Sequence, residues 1–170
     1  MPKVFMIADT HFGHKNIIDY ENRPFSCVEE QDETIIKNWN DTVTNEDKIF
    51  ILGDFAFANK DRIKELIKAL NGYKILILGN HDRSHSYSFW EKSGMDIVSQ
   101  YPIVAFDWYM LSHEPMYINK NMPYANIFGH VHGNSQYKDF SSQHFCVSCE
   151  RINYTPIEFE LIKEIISKAE

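Results

Sequence analysis

The chain has 170 residues, and 17 lysines and arginines against 24 aspartates and glutamates give it a formal net charge of −7. A hydrophobic content of 44% with 24% charged residues is typical of a globular protein and excludes an intrinsically disordered chain. The acidic balance argues against a protein that grips long nucleic acids through a coat of Lys and Arg, although a bound cation can supply positive charge locally. The length suits one compact domain over residues 1–170.

The sequence gives no sign of a membrane or secretory segment. No apolar run approaches the roughly 18 residues of a transmembrane helix, and residues 1–9 lack the apolar core of a signal peptide. Three cysteines, Cys27, Cys146 and Cys149, are an odd number in a chain that is long enough to fold without disulfides. We therefore expect a cytoplasmic protein. Cys146 and Cys149 have the spacing of a metal or redox pair. Because the chain has no second pair, we favour the interpretation that they are two cysteines without such a role.

The first half of the chain alternates strand-like and helix-like segments. Apolar runs predict buried strands, and apolar residues at helical spacing predict helices. In chain order these are a strand over 3–8, a helix over 29–43, a strand over 48–52, a helix capped by Asn59 and closed by Asn71-Gly72, and a strand over 73–78. This βαβαβ order predicts a parallel sheet with right-handed crossovers.

The second half changes character to short β-like segments separated by turns. They cover residues 97–99, 103–106, 109–112, 126–128 and 145–150, and an amphipathic helix over 158–168 follows them. The predicted fold class is therefore α/β, a two-sheet α/β sandwich with flanking helices on its outer faces.

Polar residues with metal-binding side chains follow the ends of five predicted strands. These residues are Asp9, His11, Asp54, Asn80, His113, His130 and His132. In open α/β sheets the carboxyl ends of the strands form the ligand-binding crevice. Imidazole and carboxylate donors suit Mn, Fe, Zn, Ni or Co. Seven donors are too many for one ion and fit two ions if one carboxylate bridges them, for which Asp54 in its tight Gly turn is the natural candidate.

The motifs Asp-x-His, Gly-Asp, Gly-Asn-His-Asp, a single His and Gly-His-x-His, in this order, resemble the calcineurin-like metallophosphoesterase superfamily. The resemblance covers about residues 9–132, and Gly-Asn-His-Asp stands where relatives often have Gly-Asn-His-Glu. It implies a first ion held by Asp9, His11 and His132, and a second held by Asn80, His113 and His130, with Asp54 bridging both. His81 matches the substrate-contacting histidine of the family, which is not a metal ligand.

The resemblance implies a phosphoesterase with two divalent transition-metal ions, Mn²⁺ first and Fe, Zn, Ni or Co as alternatives. It also implies that a hydroxide held by the two cations would attack phosphorus in line. His81 would then steady the phosphoryl charge or donate a proton to the departing alkoxide. Asp82 directly follows and is a candidate to orient or charge-stabilise that imidazole.

Three residues near the first motif are candidates for contacts with the substrate. His14 and Asn16 lie in the loop that leaves the first strand, where a pocket wall and a solvated loop are equally good interpretations. The spacing of His11 and His14 is similar to that in a subgroup of small bacterial and phage phosphoesterases. Arg23 has the forked donors that suit a phosphate, although an exposed salt-bridging arginine is the favoured alternative.

The chain has no room for a further domain that would cap the site, so the expected substrate is a small phosphate ester, with a nucleotide-type monoester or diester favoured. We expect no membrane partner and no extended nucleic-acid surface. Residues 114–126 are the candidate segment for a wall of the site or for the contact surface of a homo-oligomer. Two alternatives remain. One is a non-catalytic metal-binding scaffold on the same fold, which the retention of all seven donors disfavours, and the other is a nuclease acting on short single strands.

Overall fold

The computed structural model describes residues 1–169 and contains two five-stranded sheets. The strands are β1 (Val4–Ile7), β2 (Lys48–Ile51), β3 (Tyr73–Ile77), β4 (Ile97–Ser99), β5 (Ile103–Ala105), β6 (Tyr109–Leu111), β7 (Ala125–Phe128), β8 (Phe140–Ser141), β9 (His144–Cys146) and β10 (Ile157–Glu158). The first sheet has the order β10-β1-β2-β3-β4, in which β1 to β4 are parallel and β10 is antiparallel. The second has the order β5-β6-β7-β9-β8, with β6, β7 and β9 parallel.

Five helices connect or flank the strands. They are α1 (Lys15–Tyr20), α2 (Val28–Thr42), α3 (Lys60–Ala69), α4 (Tyr87–Lys92) and α5 (Phe159–Lys168). The side chain of Asn59 accepts a hydrogen bond from the backbone N–H of Arg62 and so caps α3, as its position before the apolar repeat predicts. None of the helices in the described part of the chain is long and apolar enough to cross a membrane.

The first sheet is buried on both faces, because successive residues of its strands enter different apolar clusters. In β1, Phe5 and Ile7 pack in the cluster that contains Trp39 of α2, whereas Met6 packs in the cluster between the sheets. This second cluster also contains Phe159 of α5. Burial on both faces explains why the parallel strands appear in the sequence as continuous apolar runs.

The predicted α/β sandwich is confirmed, and one predicted strand is wrong. The apolar run over residues 145–150 does not form a single strand, since β9 ends at Cys146 and Cys149–Arg151 forms a 3₁₀ turn. Ser148 makes an isolated parallel bridge to Ala8, after which the chain turns away from the sheet. The short elements α1, α4, β8 and β10 were not predicted. Both Cys146 and Cys149 are buried free thiols, and burial raises the pKa of each.

Candidate metal centre

The seven candidate donors converge where strands of both sheets end. Asp9 and His11 follow β1, Asp54 follows β2, Asn80 follows β3, His113 follows β6, and His130 and His132 follow β7. Six of them form two clusters in which donor atoms from different residues lie within 4.8 Å of one another, and the seventh, Asn80, lies beside the second cluster with its Oδ1 3.0 Å from His113 Nε2. The structure therefore brings together the residues that the strand-end pattern selected.

The first cluster consists of Asp9, His11 and His132. Asp9 and His11 are buried, and Asp9 Oδ1 and His11 Nε2 have no hydrogen-bond partner within residues 1–169. Because a buried polar atom without a partner costs free energy, natural proteins rarely leave such atoms unless a ligand or a water satisfies them. One such oxygen and one such nitrogen in the same cluster fit a cation that accepts both kinds of donor.

The second cluster consists of Asp54, His113 and His130. His113 Nε2 lies 3.0 Å from Asn80 Oδ1 and 3.1 Å from His130 Nδ1. His113 Nδ1 lies 2.9 Å from the carbonyl oxygen of Leu52, which can only accept, so Nδ1 is the donor in that bond. This bond directs Nε2 of His113 toward the other donors.

Asp54 belongs to the second cluster and also faces the first. Its Oδ2 is 3.6 Å from His11 Nε2 in the first cluster and 3.5 Å from His113 Nε2 in the second. Burial would raise the pKa of Asp54, but the hydrogen bond and charge of His113 and the charge of His11 hold the pKa at about 2. Burial would likewise lower the pKa of His113, which Asp54 and Asp9 raise to about 9. One charged carboxylate thus faces both donor sets.

Five of the seven donors have a left-handed backbone that non-glycine residues seldom adopt. These are Asp9 (φ 58°), His11 (φ 48°), Asp54 (φ 54°), His130 (φ 69°) and His132 (φ 46°). Such a conformation costs on the order of 1 kcal/mol or more per residue, and it concentrates at functional sites.

Two glycines permit the close approach of the strand ends. A Cβ on Gly79 would lie 2.2 Å from Asp54 Oδ1, and a Cβ on Gly53 would lie 2.3 Å from His113 Nδ1. No side chain fits at such distances. The Gly-Asp and Gly-Asn pairs of the sequence therefore arise because the backbones of these turns pass directly against the donors.

Asp82 corrects a sequence-based hypothesis. Its carboxylate does not orient the imidazole of His81 but accepts hydrogen bonds from the backbone N–H groups of Asp54 (2.7 Å), Phe55 (3.0 Å) and Gly79 (2.8 Å). Burial, followed by the charge of Asp54, raises the pKa of Asp82 to about 6. Asp82 thus ties the turn after β2 to the turn after β3.

Arg23 is neither exposed nor available to a substrate. It is 4% exposed, and its guanidinium donates four hydrogen bonds inside the protein and pairs with Glu150. Nη1 donates to Thr10 O and Gln31 Oε1, while Nη2 donates to Asp9 O at 2.7 Å. Nε and Nη2 both reach Oε1 of Glu150, at 2.9 and 2.7 Å. Both interpretations offered by the sequence, a phosphate fork and a surface salt bridge, are therefore wrong.

His14 lies beside the first cluster, whereas Asn16 is exposed on α1. His14 Nδ1 is 3.1 Å from His11 Nδ1, and its ring stacks on Phe57 with centroids 4.6 Å apart. His81 is also near, with its ring centroid 6.2 Å from that of His14. The structure thus brings His14 into contact with a candidate donor, and it places Asn16 at an exposed position in the first turn of α1.

Glu150 is the residue of the site that sequence reasoning missed. Its Oε1 lies 3.1 Å from His132 Nδ1, and Oε2 is buried without a partner within residues 1–169. Burial would raise the pKa of Glu150, but His132 and Arg23 lower it. The sequence shows only that Glu150 ends the run over residues 145–149, and the bridge between Ser148 and Ala8 that brings this run beside β1 is visible only in the structure. Glu21 lies close enough to form a further acidic set with Glu150 and His132.

Comparison with known proteins identifies the family. A family model described as calcineurin-like phosphoesterase matches residues 2–164. The chain belongs to the calcineurin-like phosphoesterase family. This family carries out metal-dependent hydrolysis of small phosphoesters, and the two donor clusters are candidate sites for its divalent metals.

Individual relatives of this calcineurin-like phosphoesterase come from an archaeon, phages and a bacterium. The chain is 38% identical over 177 residues to MJ1445, an uncharacterized protein of Methanocaldococcus jannaschii, covering 99% of this chain and 93% of the relative. It is 39% identical over 88 residues to the gene 66 protein of Mycobacterium phage L5, covering 50% of this chain and 42% of that protein. The crystal structure of AQ665, a protein of unknown function from Aquifex aeolicus, aligns with a TM-score of 0.74 at 27% identity, covering 97% of this chain and 100% of that one.

Proposed function

We propose that this protein is a phosphoesterase with a binuclear metal centre that hydrolyses small phosphomonoesters or phosphodiesters, with a nucleotide-type substrate favoured. The observation that carries the proposal is the position of Asp54. Its Oδ2 lies within 3.6 Å of a histidine nitrogen from each donor cluster, so that one carboxylate is available to two ions. A site for a single ion would not need histidine donors from both clusters around this carboxylate.

The donor set favours transition metals. Each cluster combines imidazole nitrogen with carboxylate oxygen, which suits Mn²⁺ as the first choice and Fe, Zn, Ni or Co as alternatives. When bound, two such ions lower the pKa of a coordinated water and neutralise charge on the phosphoryl oxygens. The positive charge of the cleft would thus come from the ions, which is how an acidic protein can hold a phosphate.

His81 is the proposed catalytic residue that does not bind metal. Its backbone N–H donates to Asp54 Oδ1 at 3.0 Å, and this bond fixes the turn. Its side chain remains 40% exposed, with Nε2 3.9 Å from Asp54 Oδ2. The imidazole therefore lies at the mouth of the site, on the side that is open to a phosphoryl group. From there its N–H can stabilise a phosphoryl oxygen or protonate the leaving oxygen.

An aromatic rim beside His81 favours a nucleotide-type substrate. Phe57 stacks on His14 with one face, yet 55% of it is exposed, and its ring is 5.9 Å from that of His81. Tyr20, whose ring centroid is 6.3 Å from that of His14, is 68% exposed. Exposed aromatic faces next to a phosphate site are suited to stacking with a base. The three free cysteines suit the reducing cytoplasm, which we propose as the location of the protein.

The proposal is tested by loading the metal-free protein with Mn²⁺ and screening substrates. We expect calorimetry to give two ions per chain. We also expect hydrolysis within a panel of aryl monoesters, aryl diesters, cyclic nucleotides, dinucleotides and short single strands. A protein that binds the ions but hydrolyses none of these esters is a scaffold, and one that cleaves only the single strands is a nuclease. Either result contradicts the proposal, as does a single bound ion.

Replacing Phe57 with alanine tests the substrate class. We expect KM for a nucleotide substrate to rise by about tenfold with kcat unchanged, because stacking on one base contributes about 1–3 kcal/mol. KM for glycerol phosphate, which has no ring, should stay the same. Tyr73→Ala is the matched control, since Tyr73 is an exposed aromatic residue at the opposite, amino end of β3. Equal changes in KM for both substrates would show that Phe57 does not bind the nucleotide base by stacking.

A further inference from the structure

A buried ion pair lies directly behind the first donor cluster. The side chain of Arg23 is 0% exposed and that of Glu150 is 9% exposed, and two Arg23 nitrogens lie 2.7 and 2.9 Å from Oε1 of Glu150. Removing two charges from water is costly, and a buried ion pair often adds little net stability compared with apolar residues of the same size. The pair therefore calls for an explanation other than fold stability.

Glu150 connects this pair to a candidate metal ligand. Its Oε1 lies 3.1 Å from Nδ1 of His132. A carboxylate that is paired with an arginine only accepts hydrogen bonds, so Nδ1 of His132 is the donor. With Nδ1 occupied in this way, Nε2 is the ring nitrogen left for an ion shared with Asp9 and His11.

Arg23 acts on the other side of the same cluster. Its Nη2 donates to the carbonyl oxygen of Asp9 at 2.7 Å, and its Nη1 donates to that of Thr10 at 3.2 Å. These bonds hold the turn in which Asp9 has its left-handed backbone. One guanidinium thus connects the backbone of Asp9 with the ring of His132, although the two ligands lie on strands of different sheets.

In the second cluster, a hydrogen bond without a charged partner fixes the imidazole of His113, as Glu150 fixes that of His132 in the first. His113 Nδ1 is fixed by the carbonyl oxygen of Leu52, with no charged residue in that bond. The first cluster uses a charged carboxylate instead, which makes the imidazole of His132 a stronger donor to a metal. The two ion sites therefore differ in what supports them, and a change at Glu150 should affect only one of them.

We propose that Arg23 and Glu150 are positioning residues that hold Asp9 and His132 around the first ion and raise the affinity of that site alone. This inference rests on the proposed function, because it requires an ion at the first cluster. Glu150 is not itself a ligand in this scheme. Its Oε1 is already occupied by Arg23 and by Nδ1 of His132.

The experiment compares Mn²⁺ titrations of the metal-free wild type, Glu150→Ala and Glu150→Gln. Glu150→Ala should lose about 10- to 100-fold in affinity at one site, with the other unchanged. Glu150→Gln keeps an oxygen that can accept from His132 and should lose less. The matched control is Glu158→Gln, whose carboxylate pairs with Lys3 near the amino end of β1, far along the strand from Asp9. It should behave as the wild type.

A second readout does not depend on activity. Nitrogen-15 NMR of the histidine rings in the Zn²⁺-loaded wild type should find the proton of His132 on Nδ1, and Glu150→Ala should weaken its protection from exchange. If Glu150→Ala does not fold, Glu150→Gln still carries both measurements because it keeps the shape of the side chain.

Each outcome has a distinct meaning. Two unchanged sites in Glu150→Ala, or equal loss at both, would overturn the positioning role while leaving the proposed function intact. Equal losses in Glu150→Ala and Glu150→Gln would make Glu150 a ligand, which also overturns it. A wild type that takes up no Mn²⁺ would overturn the proposed function and this inference together.

Discussion

Replacing Asp54 with asparagine is expected to weaken metal binding at both donor clusters together and to lower kcat/KM by at least about a thousandfold. This loss corresponds to about 4 kcal/mol, the scale of transition-state stabilisation that bound metal ions supply. Asparagine has the shape of aspartate and tolerates the left-handed backbone at this position, so the change removes the charge and leaves the turn in place. Metal analysis and calorimetry measure the first effect, and steady-state kinetics measure the second.

The control for Asp54→Asn is Asp61→Asn, which alters a solvent-exposed carboxylate on α3 that pairs with Lys64 at the surface. It should leave both ions and the rate as in the wild type. If Asp54→Asn lost one ion while the other titrated normally, Asp54 would belong to a single cluster and the bridging assignment would be incorrect. Thermal denaturation of the metal-free variant checks that the turn, in which Asp54 Oδ1 accepts from the backbone of His81, has survived.

Replacing His81 with alanine should lower kcat by about 10²- to 10⁴-fold while both ions stay bound, which is the range for loss of a general acid. His81 is in neither donor cluster and its side chain is 40% exposed, so the variant should fold and bind metal normally. If His81 protonates the leaving oxygen, the loss should be large for an alkyl ester and small for a nitrophenyl ester, whose leaving group needs no proton. Comparing kcat for the two esters measures this difference.

His85→Ala is the matched control for His81→Ala, because His85 lies in the same segment but has its ring against Phe89. Its rates should be close to those of the wild type. An undiminished rate in His81→Ala would remove His81 from the mechanism. A loss of the same size with both esters would assign to His81 the stabilisation of phosphoryl charge, in place of proton donation.

The positions of the candidate donors could be predicted because their signal is local. A buried parallel strand is an apolar run, and the first polar residue after it marks the carboxyl end of the sheet. Asp9 after β1 and the Gly53-Asp54 pair after β2 follow this pattern. The same logic gave α3, whose N-cap and apolar repeat lie within a few residues of one another.

The supporting residues could not be predicted, because their partners are distant in sequence. Arg23 is bonded to Glu150 across 127 positions, and an arginine considered alone is expected at the surface. For Asp82 the sequence suggests a partner that is close in the chain, and this partner is wrong. The neighbour His81 suggests a partnership, but the carboxylate of Asp82 accepts from the backbone of Asp54 and Phe55, 28 and 27 positions earlier, and from that of Gly79, three positions earlier. Adjacency along the chain says little about where a buried carboxylate points.

The left-handed turns at the candidate donors also bear on how this family can diverge. Asparagine, aspartate and glycine accept this backbone most readily, whereas β-branched residues fit it poorly. A descendant that gave up hydrolysis would therefore not be free to place any residue at His11, His130 or His132. It would drift toward asparagine or glycine, which keep the turn but lose the imidazole. Asparagine or glycine in place of histidine at these three turns is therefore the change that we expect in a relative that no longer binds metal there.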